Sequence, residues 1–117
     1  MAPPHLTAWT RIGSTLYLSG QLAFDAEGRI QDRDAGAQTT QTLQNIQATL
    51  ETLGLSPSDI VKATVWLRDT ADFPAFNDAY AAFFAEHRPA RSTIISDLVL
   101  PQARVEIEVI AHDKRSS

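Results

Sequence analysis

The stretch RPARSTIISDLVLPQARVEIEVIA, residues 88–111, places charged side chains inside the most hydrophobic hairpin of a 117-residue chain. Arg91 precedes one apolar run, and Glu106 and Glu108 stand two residues apart within a second run of valine and isoleucine. Neighbouring side chains of a strand point to opposite faces, so both glutamates share one face and the apolar residues share the other. The stretch therefore predicts strands over residues 92–98 and 104–112, the second with an apolar face and an acidic face.

Hydrophobic spacing in the rest of the chain predicts two helices and three more strands. Period-two alternation indicates the strands, and apolar residues three or four apart indicate the helices. The predicted elements, in chain order, are strands over residues 5–11 and 14–20, a helix over 34–53 that ends before Gly54, a strand over 60–68, a helix from Asp72 as N-cap to His87 before Pro89, and the two strands above. The order ββαβαββ predicts an α+β fold with a single mixed sheet, two α-helices packed on one face, and one domain spanning residues 1–117.

The second face of this sheet is expected to carry apolar side chains that the helices do not cover. Two helices cover one face of the sheet and leave the other to be covered by something else. Over residues 60–68 the alternation gives one face the apolar set Val61, Ala63, Val65 and Leu67. The opposite face carries Trp66, and on other strands Tyr17 or Ile110. A second face with large apolar groups predicts an oligomer.

Composition and charge exclude several classes of protein. A net charge of −4 and a pI near 5.2 give no basic surface, which disfavours a nucleic-acid partner. The lack of cysteine excludes disulfides, thiolate nucleophiles and cysteine-ligated zinc. No apolar run approaches the roughly 20 residues of a membrane helix, and the first residues lack a signal-peptide pattern, so we expect a cytoplasmic protein without a membrane partner. His5, His87 and His112 have no metal-ligand spacing and no glycine-rich phosphate loop is present, so neither a metal nor a cofactor is expected.

Arg91 and Glu106 are the candidate functional side chains, and each allows two interpretations. Arg91 stands at a loop-to-strand boundary, where it forms either a surface ion pair or a guanidinium fork for a substrate carboxylate. Glu106 is either exposed to solvent or lines a pocket at a subunit junction, where it meets Arg91. Gly20 is a position where the backbone is expected to approach a neighbouring group closely. Glu108 is expected to form an ion pair in a subunit interface.

Five segments together resemble one protein family. They are SGQ at residues 19–21, IVKATVWLRD at 60–69, an FxxFNxAYxxFF helix at 73–84, PARST at 89–93 and VEIEVIA at 105–111. In these segments and in the order of its elements, the chain is similar to the RidA/YjgF family of reactive-intermediate deaminases. The resemblance implies a chorismate-mutase-like α+β fold and a homotrimer with three pockets at the subunit interfaces.

The resemblance also implies an activity and the residues that perform it. Arg91 matches the arginine that binds the carboxylate of a 2-imino acid, and Glu106 matches the carboxylate that positions or activates water. Gly20, with Ser19, matches the backbone that approaches the ligand, and Thr93 falls where many members have cysteine. The implied reaction is hydrolysis of 2-imino and 2-enamino acids, such as 2-aminoacrylate, to 2-keto acids and ammonia. Arg91 beside Glu106 would then keep that carboxylate ionised.

Two other functions stay open beside this one. The first is deamination or hydrolysis of another small enamine, amide or carbamate in a degradation pathway. The second is a non-catalytic trimer that binds a small carboxylate, which requires Arg91 but not Glu106. A ribonuclease role has also been attached to the family, and the acidic charge balance disfavours it here.

Overall fold

The computed structural model describes residues 4–31 and 34–116, which form one mixed five-stranded sheet and two α-helices. The elements are β1 (Trp9–Ile12), β2 (Thr15–Leu18), α1 (Ala35–Thr52), β3 (Ile60–Leu67), α2 (Phe73–Phe84), β4 (Ala90–Ile95) and β5 (Val105–His112). The strand order is β1-β2-β5-β3-β4, and only the β3–β4 pair is parallel. The predicted element order and the single mixed sheet are therefore confirmed. The expectation that the last two strands form a hairpin is wrong, because β3 lies between β4 and β5 and pairs with both.

The central strand β5 separates the core from the opposite face of the sheet. Its core residues are at most 1% exposed, namely Val105, Ile107, Val109 and Ala111. They pack with the apolar stripe of α1, in which Leu43, Ile46 and Leu50 are fully buried. Burial of each such side chain stabilises the fold by about 1.5 to 3 kcal/mol. The prediction that the valines and isoleucine of this strand join the core is confirmed.

The helix α1 begins and ends as its sequence predicts. The Asp34 side chain accepts a hydrogen bond from the Ala37 backbone N–H at 2.8 Å, which satisfies one of the free donors of the first turn. At the other end, Gly54 has a φ of +73°, a conformation that glycine adopts without strain. The helix is therefore held in place at both ends by local interactions.

The strand β4 is shifted relative to its prediction, and the shift changes the environment of Arg91. The strand covers Ala90–Ile95 rather than residues 92–98, so Arg91 lies inside the strand and not in the turn before it. The shift arises because parallel pairing with β3 already begins at Ala90. Beyond Ile95 the Arg68 guanidinium binds the chain instead, donating to the carbonyls of Leu100 at 2.8 Å and Ala103 at 2.7 Å.

The helix α2 differs from its prediction at both ends. It ends at Phe84, because Ala85 takes a φ of +54° and His87 then leaves the helix to contact the Ile60 carbonyl through Nε2 at 2.7 Å. Asp72 precedes the helix, but its side chain makes no capping hydrogen bond and pairs with Arg104 at 3.1 Å. The stripe that faces the core consists of Phe76, Tyr80 and Phe84.

Two further boundaries and one face assignment need correction. The hairpin of β1 and β2 is confirmed, but β1 starts at Trp9 rather than at residue 5, and β2 ends at Leu18. The prediction that Val61 shares the core face with Ala63 is wrong, since Val61 is 49% exposed. The pairing of β3 with β5 shifts between Ile60 and Lys62, and this bulge turns Val61 out of the alternation.

The face of the sheet opposite the helices carries the uncovered apolar groups that the sequence predicts. In the single chain, Ile12 is 67%, Tyr17 45% and Ile94 41% exposed, and Trp66 is half-buried. Exposed aromatic and aliphatic groups on one sheet face are typical of a protein-interaction surface. In the part of the chain that the structure describes, neither helix has the length and hydropathy required to cross a membrane.

The buried side chain of Gln38 connects α1 to the segment that leads into β5. Its amide N–H groups donate to the carbonyls of Gln31 at 3.2 Å and Gln102 at 3.0 Å, and its oxygen accepts from the Arg104 backbone at 2.8 Å. Gln38 is only 2% exposed, so its amide is satisfied by these bonds and not by bulk water. The amide therefore fixes the entry to the strand that carries Glu106.

We expect Gln38→Leu to lower the free energy of unfolding by about 2 to 4 kcal/mol, because it leaves three backbone groups without partners. Urea denaturation of the variant measures the effect. Gln44→Leu, at an exposed position of the same helix, is the matched control and should change stability by less than about 1 kcal/mol. Equal effects of the two substitutions would contradict a structural role for the Gln38 amide.

Candidate active site

Arg91 lies on the helix-facing side of β4, against the aromatic stripe of α2. Its Cα is paired with that of the buried Ala63 on β3, which assigns it to the core face. Its guanidinium carbon lies 4.8 Å from the ring centroid of Tyr80, 5.1 Å from that of Phe76 and 6.0 Å from that of Phe73. A guanidinium over aromatic faces is held by cation–π attraction, which leaves its N–H donors free in the plane.

The guanidinium of Arg91 borders an open cleft and has no carboxylate partner among residues 4–31 and 34–116. The cleft has a volume of about 240 Å³ and lies between the end of α2 and the start of β4. Its lining includes Tyr80, His87, Arg88 and Pro89 besides Arg91. A half-buried cation with unused donors beside a cleft has the chemistry required to bind a small anion.

Glu106 lies on the opposite face of the sheet, packed against the backbone at Gly20. A methyl group at Gly20 would overlap Glu106 Oε2 and lie 3.2 Å from Cδ, so a side chain at this position would require the carboxylate to move. Across the sheet, the Cα partner of Glu106 is Trp66. The expectation that the backbone approaches another group closely at Gly20 is met by Glu106 itself.

The segment around Ser19 holds Gly20 in that position. If the pairing of β2 with β5 continued in the same register, Gln21 would lie opposite Glu106. It pairs with Ile107 instead, so the segment between Tyr17 and Gln21 contains one residue more than the stretch of β5 that it faces. Two hydrogen bonds join Gln21 and Ile107, at 2.8 and 3.0 Å. Ser19 donates its hydroxyl to the Thr7 carbonyl at 2.6 Å. In the single chain, the Ser19 hydroxyl therefore helps to hold the backbone of residues 19–21 in place.

The environment of Glu106 raises the pKa of its carboxyl above the usual 4.5. Burial is the main cause, because it disfavours the charged form, and the like charge of Glu108 adds to it. Arg91 does not offset these effects, since it lies on the other face. Within one chain Arg91 therefore does not act on the Glu106 carboxyl, and the expectation that it keeps Glu106 ionised at a subunit junction stays a prediction.

The remaining candidate residues divide between the two faces. Thr93 is half-buried on β4, opposite Val65, and so lies on the same face as Arg91. Glu108 is exposed beside Glu106, and its Cα partner is Thr64. One chain thus holds Arg91 with Thr93 on one side of the sheet and Glu106 with Gly20 on the other.

Sequence reasoning missed the part that α2 plays at Arg91. The aromatic spacing of residues 73–84 shows a stripe on one side of a helix, and such a stripe is most simply part of a core. Nothing in that spacing shows that Phe76 and Tyr80 form the surface on which an arginine from another element lies. Among the described residues, no three His, Asp or Glu side chains are grouped in a way that could hold a metal ion.

We expect Glu108→Gln to lower the pKa of Glu106 toward the usual 4.5, because the substitution removes a like charge and leaves burial unchanged. Carbon-13 NMR titration of the Glu106 carboxyl measures the change. Glu51→Gln, on the exposed side of α1, is the control and should leave the titration of Glu106 unchanged. A raised or unaltered pKa in Glu108→Gln would contradict the assigned cause.

Comparisons with known proteins agree with this arrangement of elements. Residues 2–113 match the family model described as Endoribonuclease L-PSP. The chain is 40% identical over 103 residues to the 2-iminobutanoate/2-iminopropanoate deaminase of Salmonella typhimurium, covering 86% of this chain and 80% of that protein. It is 39% identical over 114 residues to the 3-aminoacrylate deaminase RutC of Acinetobacter baylyi, covering 94% and 90%. The crystal structure of RidA from an Antarctic Psychrobacter superposes with a TM-score of 0.87 at 34% identity, covering 96% and 91%. The chain therefore belongs to the YjgF/RidA family, whose model carries the Endoribonuclease L-PSP description.

Proposed function

We propose that the protein hydrolyses 2-imino and 2-enamino acids, such as 2-aminoacrylate, to 2-keto acids and ammonia. The observation that carries the proposal is the Arg91 guanidinium, held on aromatic rings beside a cleft without a carboxylate partner among the described residues. Its planar fork matches the two oxygens of a substrate carboxylate. The names of relatives at about 40% identity support the same class of reaction.

Glu106 supplies the proton transfers of this reaction. The enamine first takes a proton on carbon from solvent and becomes the iminium ion. Water attacks the iminium carbon and passes one proton to the Glu106 carboxylate as the carbon–oxygen bond forms, which gives a neutral carbinolamine. Glu106 then returns that proton to the nitrogen. As the carbon–nitrogen bond breaks and ammonia leaves, the carboxylate takes the hydroxyl proton, so a 2-keto acid forms, and Glu106 finally loses this proton to solvent. A carboxylate suits these steps because it accepts a proton when water attacks and donates it to the leaving nitrogen. Such acid–base assistance contributes about 10² to 10⁴ in rate.

The two groups act together only if neighbouring subunits share the site. In one chain Arg91 and Glu106 project from opposite faces of the sheet, on strands that β3 separates. We therefore place Arg91 of one subunit with Glu106 and Gly20 of the next, in a homotrimer with three such sites. The uncovered apolar face around Tyr17 and Ile94 supports assembly.

A second candidate substrate is 3-aminoacrylate, a 3-enamino acid, favoured by the relative RutC that matches over 94% of the chain. This enamine also carries a carboxylate for Arg91, and hydrolysis converts it to 3-oxopropanoate and ammonia. Cleavage of RNA, which the family description names, requires cationic contacts to phosphates, and the net charge of −4 disfavours it.

The test measures ammonia release while 2-aminoacrylate is generated from serine by a dehydratase. We expect the wild-type protein to accelerate release over buffer. Arg91→Lys keeps the charge but loses the two-pronged contact, so KM should rise about tenfold or more. Glu106→Gln should lower kcat by about 10² or more with little change in KM.

Arg29→Lys and Glu27→Gln, at exposed positions of the turn after β2, are the matched controls and should keep wild-type rates. Release no faster than in buffer for the wild-type protein would rule out the proposed activity with this substrate. If the protein also bound pyruvate without accelerating hydrolysis of either imine or enamine, a non-catalytic carboxylate-binding role would replace it.

A further inference from the structure

The hydroxyl of Tyr80 has no hydrogen-bond partner, although the side chain is almost completely buried. Tyr80 is 8% exposed, and among the described residues its Oη is the buried side-chain oxygen without a partner. Buried polar side-chain atoms are nearly always bonded, so an exception calls for an explanation. The residue lines the cleft that Arg91 also borders.

The ring that carries this hydroxyl is fixed by its neighbours. The ring centroids of Phe76 and Phe84 lie 5.4 Å and 4.7 Å from that of Tyr80, one on each side along α2. Tyr80 also has the shortest of the three distances between an aromatic ring and the Arg91 guanidinium carbon, 4.8 Å. The ring is therefore fixed beside the cation, and its hydroxyl is closed off from water.

A phenylalanine would preserve every aromatic contact of this ring and remove the orphaned polar atom. A buried hydroxyl without a partner destabilises the fold relative to a bonded one. Burial also raises the pKa of the Tyr80 hydroxyl, with Arg91 acting in the opposite direction, so the group is neutral at physiological pH. The fold of the single chain thus keeps a neutral hydroxyl that it does not use.

We propose that Tyr80 is a positioning residue for Arg91. When a carboxylate occupies the cleft, the Tyr80 hydroxyl accepts a hydrogen bond from one guanidinium N–H. This bond fixes the orientation of the two guanidinium N–H groups that donate to the ligand. The inference rests on the proposed role of Arg91 in binding a substrate carboxylate. Aromatic faces hold a guanidinium near their surface but do not define its rotation in the plane, whereas a hydrogen bond does. The ligand-bound state then satisfies the hydroxyl that the ligand-free state leaves unpaired.

The test compares wild type with Tyr80→Phe, using pyruvate as the probe in isothermal titration and thermal unfolding. We expect Tyr80→Phe to keep or raise the melting temperature of the ligand-free protein, because no hydrogen bond is lost there. Its dissociation constant for pyruvate should rise about fivefold to tenfold, the value of one hydrogen bond. In the hydrolysis assay, KM should rise by a similar factor while kcat changes less.

Thr40→Val removes a hydroxyl from the exposed side of α1, away from the cleft and from the uncovered sheet face, and should leave pyruvate binding unchanged. Pyruvate binding of Tyr80→Phe equal to that of wild type would overturn the inference and leave the role of Arg91 intact. A lowered melting temperature with normal pyruvate binding would assign the hydroxyl a structural role only and would also overturn it. If wild type itself binds no pyruvate, the proposed function fails at Arg91 and the inference fails with it.

Discussion

The alternation of side chains along β5 is the constraint on which the rest of the structure depends. Every second residue is an apolar group that joins the core beneath the helices, so the residues between them must face the other way. A register slip of one residue would bury Glu106 and Glu108 and expose Val105 and Ile107. The same alternation that stabilises the fold therefore fixes the carboxylates on the uncovered face.

The position of Arg91 follows from the same rule applied to the edge strand β4. Parallel pairing with β3 places it opposite Ala63 and so on the helix face, where the aromatic residues of α2 support it. Glu106 and Arg91 consequently end on opposite sides of one sheet. Each is placed by packing alone, and each is left half-buried without an opposite charge beside it among the described residues. Such groups are available to a ligand because the fold does not use them in ion pairs.

Local patterns in the sequence were sufficient to predict the element order, the helix stripe and the face that carries Glu106. The departures occur where a distant part of the chain decides the local structure. Val61 leaves the alternation because the pairing with β5 contains a bulge, and β4 ends early because the Arg68 guanidinium binds the loop that follows. The packing of Arg91 on Tyr80 is likewise a contact between two elements, and no spacing within either element contains it. The sequence also cannot show that Arg91 and Glu106 lie apart, because that separation depends on how β3 and β4 pair.

In the proposed trimer, Arg91 of one subunit and Glu106 of its neighbour form one site. Co-assembly of Arg91→Ala with Glu106→Gln tests it directly, because some junctions of the mixed oligomer then contain both native side chains. Random mixing in equal amounts should restore about a quarter of the wild-type rate of ammonia release, since one junction in four joins the two variants in the productive order. A mixed oligomer as inactive as either variant alone would contradict the shared site.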